Sequence, residues 1–312
     1  METRHIGSLE VSIVGLGCNN FGMRIDAEAS ARVVHAALDA GVTFFDTADI
    51  YGATESEVFL GRALAARRNS AVVATKFGMR VDAKRQGARP EYVRQAVEDS
   101  LRRLGTDRID LYQLHQPDPT VPIADTLGAL DELVRAGKVR EIGCSNFSAA
   151  QLRESAAAVA RGAARFVSVQ NEFSLVNREA ESEVLSECER LGMIFLPYFP
   201  LASGLLTGKV RRGEPAPAGT RLSQDWAATR FATDDKMATA EALAAYARSR
   251  KHTLLELAIS WLVSYPIVAS VIAGATSPEQ VRQNVAAGGW RLTEADRAEI
   301  DKIAPPPLAS AT

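Results

Sequence analysis

The chain has 312 residues, 46% hydrophobic and 24% charged, with 36 basic against 38 acidic side chains. This composition is typical of a globular protein, and a net charge of −2 provides no field that would attract nucleic acid or an anionic membrane. Three cysteines are too few for a disulfide framework or a four-thiolate zinc site, and we predict no metal centre. The first residues lack a signal peptide's apolar stretch, and no apolar run has the length of a membrane span. We therefore expect a cytoplasmic enzyme or binding module.

Apolar segments of strand length alternate with amphipathic segments along the whole chain. A small hairpin is predicted first, over residues 3–6 and 9–13, because Gly7 and Ser8 between β-prone segments suit a tight turn. The later strands are almost continuously apolar or β-branched, as expected for strands buried on both faces of a parallel sheet. They are predicted at residues 14–18, 43–46, 71–76, 110–114, 140–143, 166–170, 193–198 and 269–274.

Helical patterns fill the intervals between these strands. Pro90 begins one helix, in the first-turn position that proline tolerates. Two longer segments interrupt the alternation: a loop at residues 209–233 that is rich in Gly, Pro and Arg, and an Ala-rich helical region at 234–265. The other helices are predicted at residues 28–40, 55–66, 123–136, 149–160, 178–191 and 278–287.

Eight strand–helix repeats indicate an α/β protein with a (β/α)₈ TIM barrel, a fold that typically needs about 250 residues. A doubly wound sheet is the alternative. However, residues 14–20 lack the Gly-x-Gly-x-x-Gly spacing of a dinucleotide-binding turn. No change of composition marks a linker, so we predict a single domain over residues 1–312.

Ionisable side chains occur where the predicted strands end, which is where barrel enzymes carry their chemistry. Asp46 ends the second barrel strand, Lys76 ends the third and His115 follows the fourth. A buried lysine is costly to ionise without a carboxylate, so Asp46 is its expected partner. Tyr51 lies on the loop after Asp46, from which its hydroxyl would return toward Lys76.

These four side chains together are expected to form a site that donates a proton to a carbonyl oxygen. A phenol ionises near pH 10, and a nearby ammonium is expected to lower that pKa. An imidazole can hydrogen-bond the incoming oxygen. Hydride reduction of an aldehyde or ketone needs such a donor, and it also needs a nicotinamide cofactor, because no side chain transfers hydride.

Several segments together resemble the aldo-keto reductase superfamily, in that family's order along the chain. The matching segments are GLGCNNFG at 15–22, DTADIYG at 46–52, TKFG at 75–78, DLYQLHQPD at 110–118, GCSNFS at 143–148, VQNE at 169–172, PLASGLLTG at 200–208 and GATSPEQVRQN at 274–284.

The resemblance implies a barrel whose base is capped by the hairpin and which binds a nicotinamide nucleotide without a Rossmann fold. It also implies a catalytic tetrad of Asp46, Tyr51, Lys76 and His115. Tyr51 would be the acid in reduction, Lys76 held by Asp46 would lower its pKa, and His115 would orient the carbonyl and relay or share the proton. Relatives that reduce carbon–carbon double bonds have glutamate in place of this histidine, so His115 favours carbonyl reduction.

The resemblance further implies the cofactor contacts. One group would hold the carboxamide and stack on the nicotinamide ring, a loop would follow the pyrophosphate, and a last group would bind the adenosine end. In that order they are Ser145, Asn146, Gln170 and Tyr198; then Pro200, Leu201, Ser203, Gly204, Leu205 and Lys209; then Gly274, Ala275, Thr276, Gln280 and Asn284.

The choice between NADP(H) and NAD(H) stays open in the sequence. Relatives that prefer NADP usually have Lys or Arg around the positions of Gly274, Thr276 or Gln280, where such a side chain would pair with the 2′-phosphate. The only basic residue there is Arg282, about 200° around the helix from Asn284, and Arg211 and Arg212 of the long loop are candidate substitutes. NADP(H) is the default expectation, with NAD(H) as the alternative.

We predict an oxidoreductase that interconverts a small-molecule aldehyde or ketone and an alcohol, with no nucleic-acid or membrane partner. Two alternatives stand beside it: an NAD-dependent sugar or aldose dehydrogenase, and a cofactor-binding regulatory subunit that senses redox state. The sequence leaves the substrate and the oligomeric state open.

Overall fold

In the computed structural model, which describes residues 1–307, eight parallel strands follow one another around a barrel. From the first barrel strand to the seventh, each strand pairs with the next in the chain, and the eighth pairs with the first. The remaining gap is bridged by Phe195 and Val268, whose pairing brings the seventh and eighth barrel strands together. The strands are β3 (Val14–Gly17), β4 (Phe44–Asp46), β5 (Val72–Phe77), β6 (Ile109–Leu114), β7 (Val139–Ser145), β8 (Phe166–Glu172), β9 (Ile194–Tyr198) and β10 (Val271–Gly274). The predicted (β/α)₈ fold and its single domain are confirmed.

The N-terminal hairpin closes the base of the barrel, as expected. It consists of β1 (Thr3–Ile6) and β2 (Leu9–Ser12), which pair antiparallel. Ile6 and Leu9 are almost fully buried and share a cluster with side chains from inside the barrel, including Phe44. The hairpin therefore covers the end opposite the carboxyl ends of the strands, and these apolar contacts hold it there.

The helices form an outer layer that packs apolar faces against the strands. Local signals explain their ends: Pro90 occupies the first turn of one helix, and Ser148 and Gln151 form a capping box at the start of another. The helices are α1 (Ala27–Asp39), α2 (Glu55–Leu64), α3 (Pro90–Leu104), α4 (Ile123–Arg135), α5 (Ala149–Ala157), α6 (Val184–Leu191), α7 (Asp225–Phe231), α8 (Asp234–Ser249), α9 (Leu254–Val263), α10 (Pro278–Ala287) and α11 (Glu294–Ile303). None of them is long and apolar enough to cross a membrane.

The structure corrects several predicted helices. Residues 178–191 are a 3₁₀ turn, Glu179–Glu181, followed by α6, and residues 234–265 are two helices rather than one. The second break has a local cause, because Lys251 adopts a left-handed conformation and Thr253 then caps α9 in a capping box with Glu256.

Two further segments carry structure that the sequence pattern did not predict. The loop at residues 209–233 contains a 3₁₀ turn and α7. Beyond α10, where no helix was expected, Thr293 caps α11. The prediction that the domain includes residues 308–312 lies outside the described part of the chain.

Candidate active site

A cavity of about 700 Å³ opens at the carboxyl ends of the barrel strands. Tyr51 and His115 line it, and so do Thr276 and Gln280 after β10. The cavity therefore connects the predicted proton donor with the predicted adenosine end. Its position at this face matches the location of active sites in TIM-barrel enzymes.

Asp46 and Lys76 form a buried ion pair at the floor of this region. Lys76 is fully buried, and its Nζ donates to Asp46 Oδ2 at 2.6 Å and to the Thr47 carbonyl at 2.8 Å. Burial acts to lower the pKa of Lys76, but the charges of Asp46 and Tyr51 outweigh it and leave that pKa above its ordinary value. Asp46, the partner that the sequence predicted, therefore favours the ammonium form of Lys76.

Tyr51 lies between Lys76 and His115. Lys76 Nζ is 5.2 Å from the centroid of the Tyr51 ring, and the Tyr51 and His115 rings meet edge to face with centroids 5.8 Å apart. Burial raises the pKa of Tyr51 and outweighs the lowering by Lys76. The expected lowering of this pKa by Lys76 is present, but burial, which the sequence does not show, leaves the pKa of Tyr51 above its ordinary value.

His115 is a neutral imidazole at the edge of the cavity. Burial, followed by the charge of Lys76, lowers its pKa to about 3. Its Nδ1 is buried and has no hydrogen-bond partner within residues 1–307. Because an unpaired buried N–H donor is rarer than an unpaired acceptor, we assign the proton to Nε2.

The turn that carries Tyr51 has an unusual backbone. Gly52, Ala53 and Thr54 follow Tyr51 with φ of 57°, 53° and 83°. A side chain on Gly52 would begin 2.4 Å from the carbonyl oxygen of Phe21, so only glycine fits this close approach. Left-handed φ at Ala53 and Thr54 stores strain that the surrounding contacts must hold.

Two glutamines support Asp46 from across the barrel. Gln113 Nε2 and Gln170 Nε2 both lie within hydrogen-bond distance of Asp46 Oδ1, at 3.3 and 2.9 Å. Gln170 was predicted to bind the carboxamide, and it lines the cavity as well. Gln113 was missed, although a polar residue inside the apolar strand β6 was an available signal.

The predicted carboxamide group is assembled at the ends of β7, β8 and β9. Asn146 Nδ2 donates to the His115 carbonyl at 2.9 Å, and the Tyr198 hydroxyl donates to Asn146 Oδ1 at 2.8 Å. Ser145 Oγ donates to the Gln170 carbonyl at 2.6 Å. All four side chains line the cavity, and these bonds fix them before any ligand binds.

The loop after β9 presents its backbone to the cavity. Ser203 and Gly204 have φ of 57° and 107°, and both line the cavity with Pro200 and Leu201. The Ser203 hydroxyl oxygen is buried and has no partner in the described chain. An unpaired buried hydroxyl facing a cavity is a binding group for a polar ligand.

Of three other residues predicted to contact the cofactor, one lines the cavity and two do not. Lys209 lines the cavity, whereas Leu205 and Ala275 are buried and their side chains do not. At the adenosine end, Gln280 Oε1 accepts from the Thr276 amide at 2.8 Å, and Asn284 Nδ2 lies 3.4 Å from the Gly274 carbonyl. No basic side chain from α10 joins the cavity lining, because the guanidinium of Arg282 pairs with Glu279.

Arg24 and Arg221 are the two arginines that line the cavity, whereas Arg211 and Arg212 do not. Arg221 donates to Asn20 Oδ1 at 2.6 Å and to Asn19 Oδ1 at 3.1 Å. Arg24 donates to the Gly219 carbonyl at 2.5 Å. These contacts hold the long loop to the segment after β3. The sequence did not indicate Arg24, because its partner is a backbone carbonyl far along the chain.

Comparison with known proteins identifies the family. The model of the Aldo/keto reductase family matches residues 13–305. The chain belongs to this family. It is 34% identical to a probable aldo-keto reductase 1 from Glycine max over 306 residues, which is 95% of this chain and 86% of that protein. It also superposes on the glycerol dehydrogenase AKR11B4 from Gluconobacter oxydans with a TM-score of 0.84 and 32% identity, covering 99% of this chain and 98% of the other.

Membership makes this aldo-keto reductase an oxidoreductase of a family that uses nicotinamide cofactors and processes small molecules. The family recognised from the sequence motifs is thereby confirmed. Within the described residues, no three His, Cys, Asp or Glu side chains are grouped to hold a metal ion.

Proposed function

We propose that this protein reduces an aldehyde or ketone to an alcohol, reversibly, with Tyr51 as the proton donor. One observation carries the proposal: Tyr51 lies between the Lys76–Asp46 pair and a neutral His115, with its ring bordering the cavity. A carbonyl carbon that accepts hydride develops negative charge on its oxygen, and that oxygen needs both a proton and a hydrogen bond.

The cavity lining fits a nicotinamide dinucleotide. Ser145, Asn146 and Gln170 offer amide and hydroxyl groups for a carboxamide, and the Tyr198 ring offers a stacking surface. The unpartnered Ser203 hydroxyl and the adjacent left-handed loop suit a pyrophosphate. When bound, the reduced cofactor supplies the hydride.

The tetrad residues then have distinct tasks. Tyr51 enters the cycle protonated, because burial raises its pKa, and it donates that proton to the carbonyl oxygen. The Lys76 ammonium, fixed by Asp46, stabilises the phenolate that remains. His115 hydrogen-bonds the substrate oxygen through Nε2–H, and its pKa of about 3 supports this orienting task over proton storage.

For the cofactor we propose NADP(H) by family habit, with NAD(H) as the alternative. Arg24 and Arg221 in the cavity lining supply positive charge for a dinucleotide. The alternative is supported by the adenosine end, where Thr276 and Gln280 bond each other and no basic side chain of α10 is close.

A second candidate function is the oxidation of a polyol or sugar with NAD. The likeness to a glycerol dehydrogenase, at 32% identity over nearly both chains, favours it specifically. Because Tyr51 serves as acid in one direction and base in the other, both functions use the same residues. Rates with NADPH and NADH on a carbonyl panel, and with NADP and NAD on glycerol and aldoses, distinguish them.

Replacing Tyr51 tests the proposal directly. We expect Tyr51→Phe to lower kcat for carbonyl reduction by roughly 10²- to 10⁴-fold, because the variant keeps the ring but loses the proton. Cofactor affinity, measured by fluorescence titration, should stay within about twofold, since the predicted cofactor side chains are untouched.

The matched control is Tyr246→Phe, which removes a hydroxyl bonded to Asp296 on the outer layer and should leave kcat unchanged. A Tyr51→Phe enzyme with the turnover of the wild type would contradict the proposal. Wild-type protein that binds the cofactor but turns over neither panel would instead support a redox-sensing regulatory subunit.

A further inference from the structure

Asp49 is a buried carboxylate that the proposed mechanism does not use. It lies between Asp46 and Tyr51 on the same turn, and only 2% of it is exposed. Its backbone amide donates to the Lys76 carbonyl at 3.1 Å, so its main chain is tied to the strand that carries the catalytic ammonium. Its side chain is not part of the cavity lining.

The charge of Arg103, the Ile50 backbone amide and the Tyr92 hydroxyl compensate the charge of the Asp49 carboxylate only in part. Oδ2 accepts one long hydrogen bond, 3.4 Å from the Tyr92 hydroxyl. Oδ1 is buried with no partner in the described residues, and the nearby Tyr112 hydroxyl is likewise buried without one. Burial without full hydrogen bonding is costly for an ionised carboxylate.

Arg103, whose positive charge acts on Asp49, is already paired with another carboxylate. Arg103 Nε donates to Glu57 Oε2 at 2.6 Å, and the Thr75 hydroxyl donates to Glu57 Oε1 at 2.6 Å. The titratable groups around Asp49 are thus Glu57 on α2, Tyr92 and Arg103 on α3, and Tyr112 on β6. Burial, followed by the negative charge of Glu57, raises the pKa of Asp49 to about 7.

The backbone that follows Tyr51 is strained, so the position of Tyr51 depends on contacts such as that of Asp49. Ala53 and Thr54 hold strained left-handed conformations directly after the proton donor. A strained turn keeps its shape only while its neighbours hold it. The contact between Asp49 and Tyr92 links the N-terminal side of this turn to α3.

We propose that Asp49 is a positioning residue whose neutral form packs the turn and holds Tyr51 in its reactive place, and whose ionised form loosens it. This inference rests on the proposed function, because its activity readout is carbonyl reduction. The sign follows from the buried site: a neutral carboxyl fits beside Glu57, whereas a second negative charge is repelled and drawn toward water. Activity should therefore be high below neutrality and fall as the pH rises.

The test measures single-turnover reduction of an aromatic aldehyde by enzyme with its cofactor bound, from pH 5.5 to 9. We expect the wild-type rate to fall by roughly three- to tenfold around pH 7, since small displacements of a catalytic group are costly. Asp49→Asn, which mimics the neutral form, should keep the low-pH rate and lose this step. Asp49→Ala, which removes the contact with Tyr92, should lose about tenfold in rate at low pH with KM unchanged.

Two further variants sharpen the result. Tyr92→Phe should move the midpoint to higher pH, because the Tyr92 hydrogen bond lowers the pKa of Asp49, and it should also lower the low-pH rate, because it removes the same contact as Asp49→Ala. Asp107→Asn is the control, since that side chain is 91% exposed, and it should behave as wild type. A pH step that persists in Asp49→Asn, or a low-pH rate that survives in Asp49→Ala, overturns the proposal.

A second readout does not depend on catalysis. Hydrogen exchange at residues 46–54 should be faster in wild type than in Asp49→Asn at pH 8 and equal in the two proteins at pH 5.5. If wild type reduces no carbonyl but this difference is present, the proposed function fails and the control of the turn by Asp49 stands. Equal exchange at both pH values overturns the inference.

Discussion

Asp46 and Asp49 lie three residues apart and show how partners decide what a buried carboxylate does. Asp46 accepts from Lys76 Nζ and lies against the amides of Gln113 and Gln170, so its charge is fully hydrogen-bonded. Asp49 has one long contact with Tyr92 and an unpaired oxygen. A buried charge persists only with partners, which is why the first carboxylate holds a lysine and the second titrates near neutrality.

The sequence predicted the Asp46–Lys76 pair because both residues end neighbouring strands. It did not predict Gln113 and Gln170 as partners of Asp46, because these contacts cross the barrel between residues 67 and 124 positions apart. Nor did it predict the net pKa of Tyr51, since the local charge of Lys76 is visible in the sequence but the depth of burial is not.

Lys76→Met should unfold more easily than wild type. Removing the ammonium leaves Asp46 ionised and buried without its cation, which typically costs about 3–5 kcal/mol. Asp46→Asn in the same chain removes the stranded charge, so the double variant should recover part of that loss. Urea denaturation of the two single variants and the double variant measures the coupling; strictly additive losses would mean that the pair contributes no interaction energy.

Among the strands and helices, the sequence predicted correctly those whose ends are determined by residues close in the chain. Strands β5 and β6 match the prediction to within one residue at each end, because a buried parallel strand is a continuous apolar run. The predicted helix at residues 178–191 is interrupted instead. Arg178 is nearly buried there and bonds Asp301 on α11, a contact made by residues distant in sequence.

The long loop after β9 is the element most dependent on such distant contacts. Residues 209–224 contain no helix beyond a short 3₁₀ turn, and Arg221 and Arg24 hold them against the segment after β3. Arg221 also lies over the Phe199 ring, 5.8 Å from its centroid. These contacts border the cavity, so we expect the loop to open when a dinucleotide enters or leaves it.

Arg221→Ala should therefore speed cofactor release. The variant loses the hydrogen bonds to Asn19 and Asn20, and we expect the dissociation rate of NADPH in stopped-flow fluorescence to rise by roughly tenfold, the equivalent of one to two hydrogen bonds. Cleavage of the loop in limited proteolysis should also be faster. Arg212→Ala, from the same loop but outside the cavity lining, is the matched control; equal release rates in both variants would contradict this role for Arg221.

In the whole molecule, the contacts that close the barrel and the residues proposed for catalysis lie at opposite ends of the barrel axis. The base is closed by the hairpin, whose apolar residues share a cluster with the barrel interior, and the opposite face carries the cavity and the tetrad. Contacts at the base hold the barrel closed without approaching Tyr51. Substitutions at the two ends should therefore affect different measurements.

Arg4 gives the clearest test of this separation. It lies on β1, and its guanidinium donates to the carbonyls of Val263, Tyr265 and Val268 at 2.8, 2.9 and 2.5 Å. These oxygens lie at the C-terminal end of α9 and in the segment before β10, so Arg4 fastens the hairpin where the barrel sheet has its gap. Arg4→Ala removes these bonds, and we expect a loss of about 1.5–3 kcal/mol in the free energy of unfolding, the range for hydrogen bonds to a charged group.

The same variant should keep kcat and KM for carbonyl reduction within about twofold at temperatures where it stays folded, because the hydrogen-bond partners of Arg4 within residues 1–307 include no residue of the tetrad or of the cavity lining. Arg32→Ala is the matched control, since its exposed ion pair with Glu28 should contribute less than about 1 kcal/mol. A large fall in kcat for Arg4→Ala with unchanged stability would mean that the base and the catalytic face are coupled, because the closure of the barrel would then set the position of the strand ends that carry the tetrad.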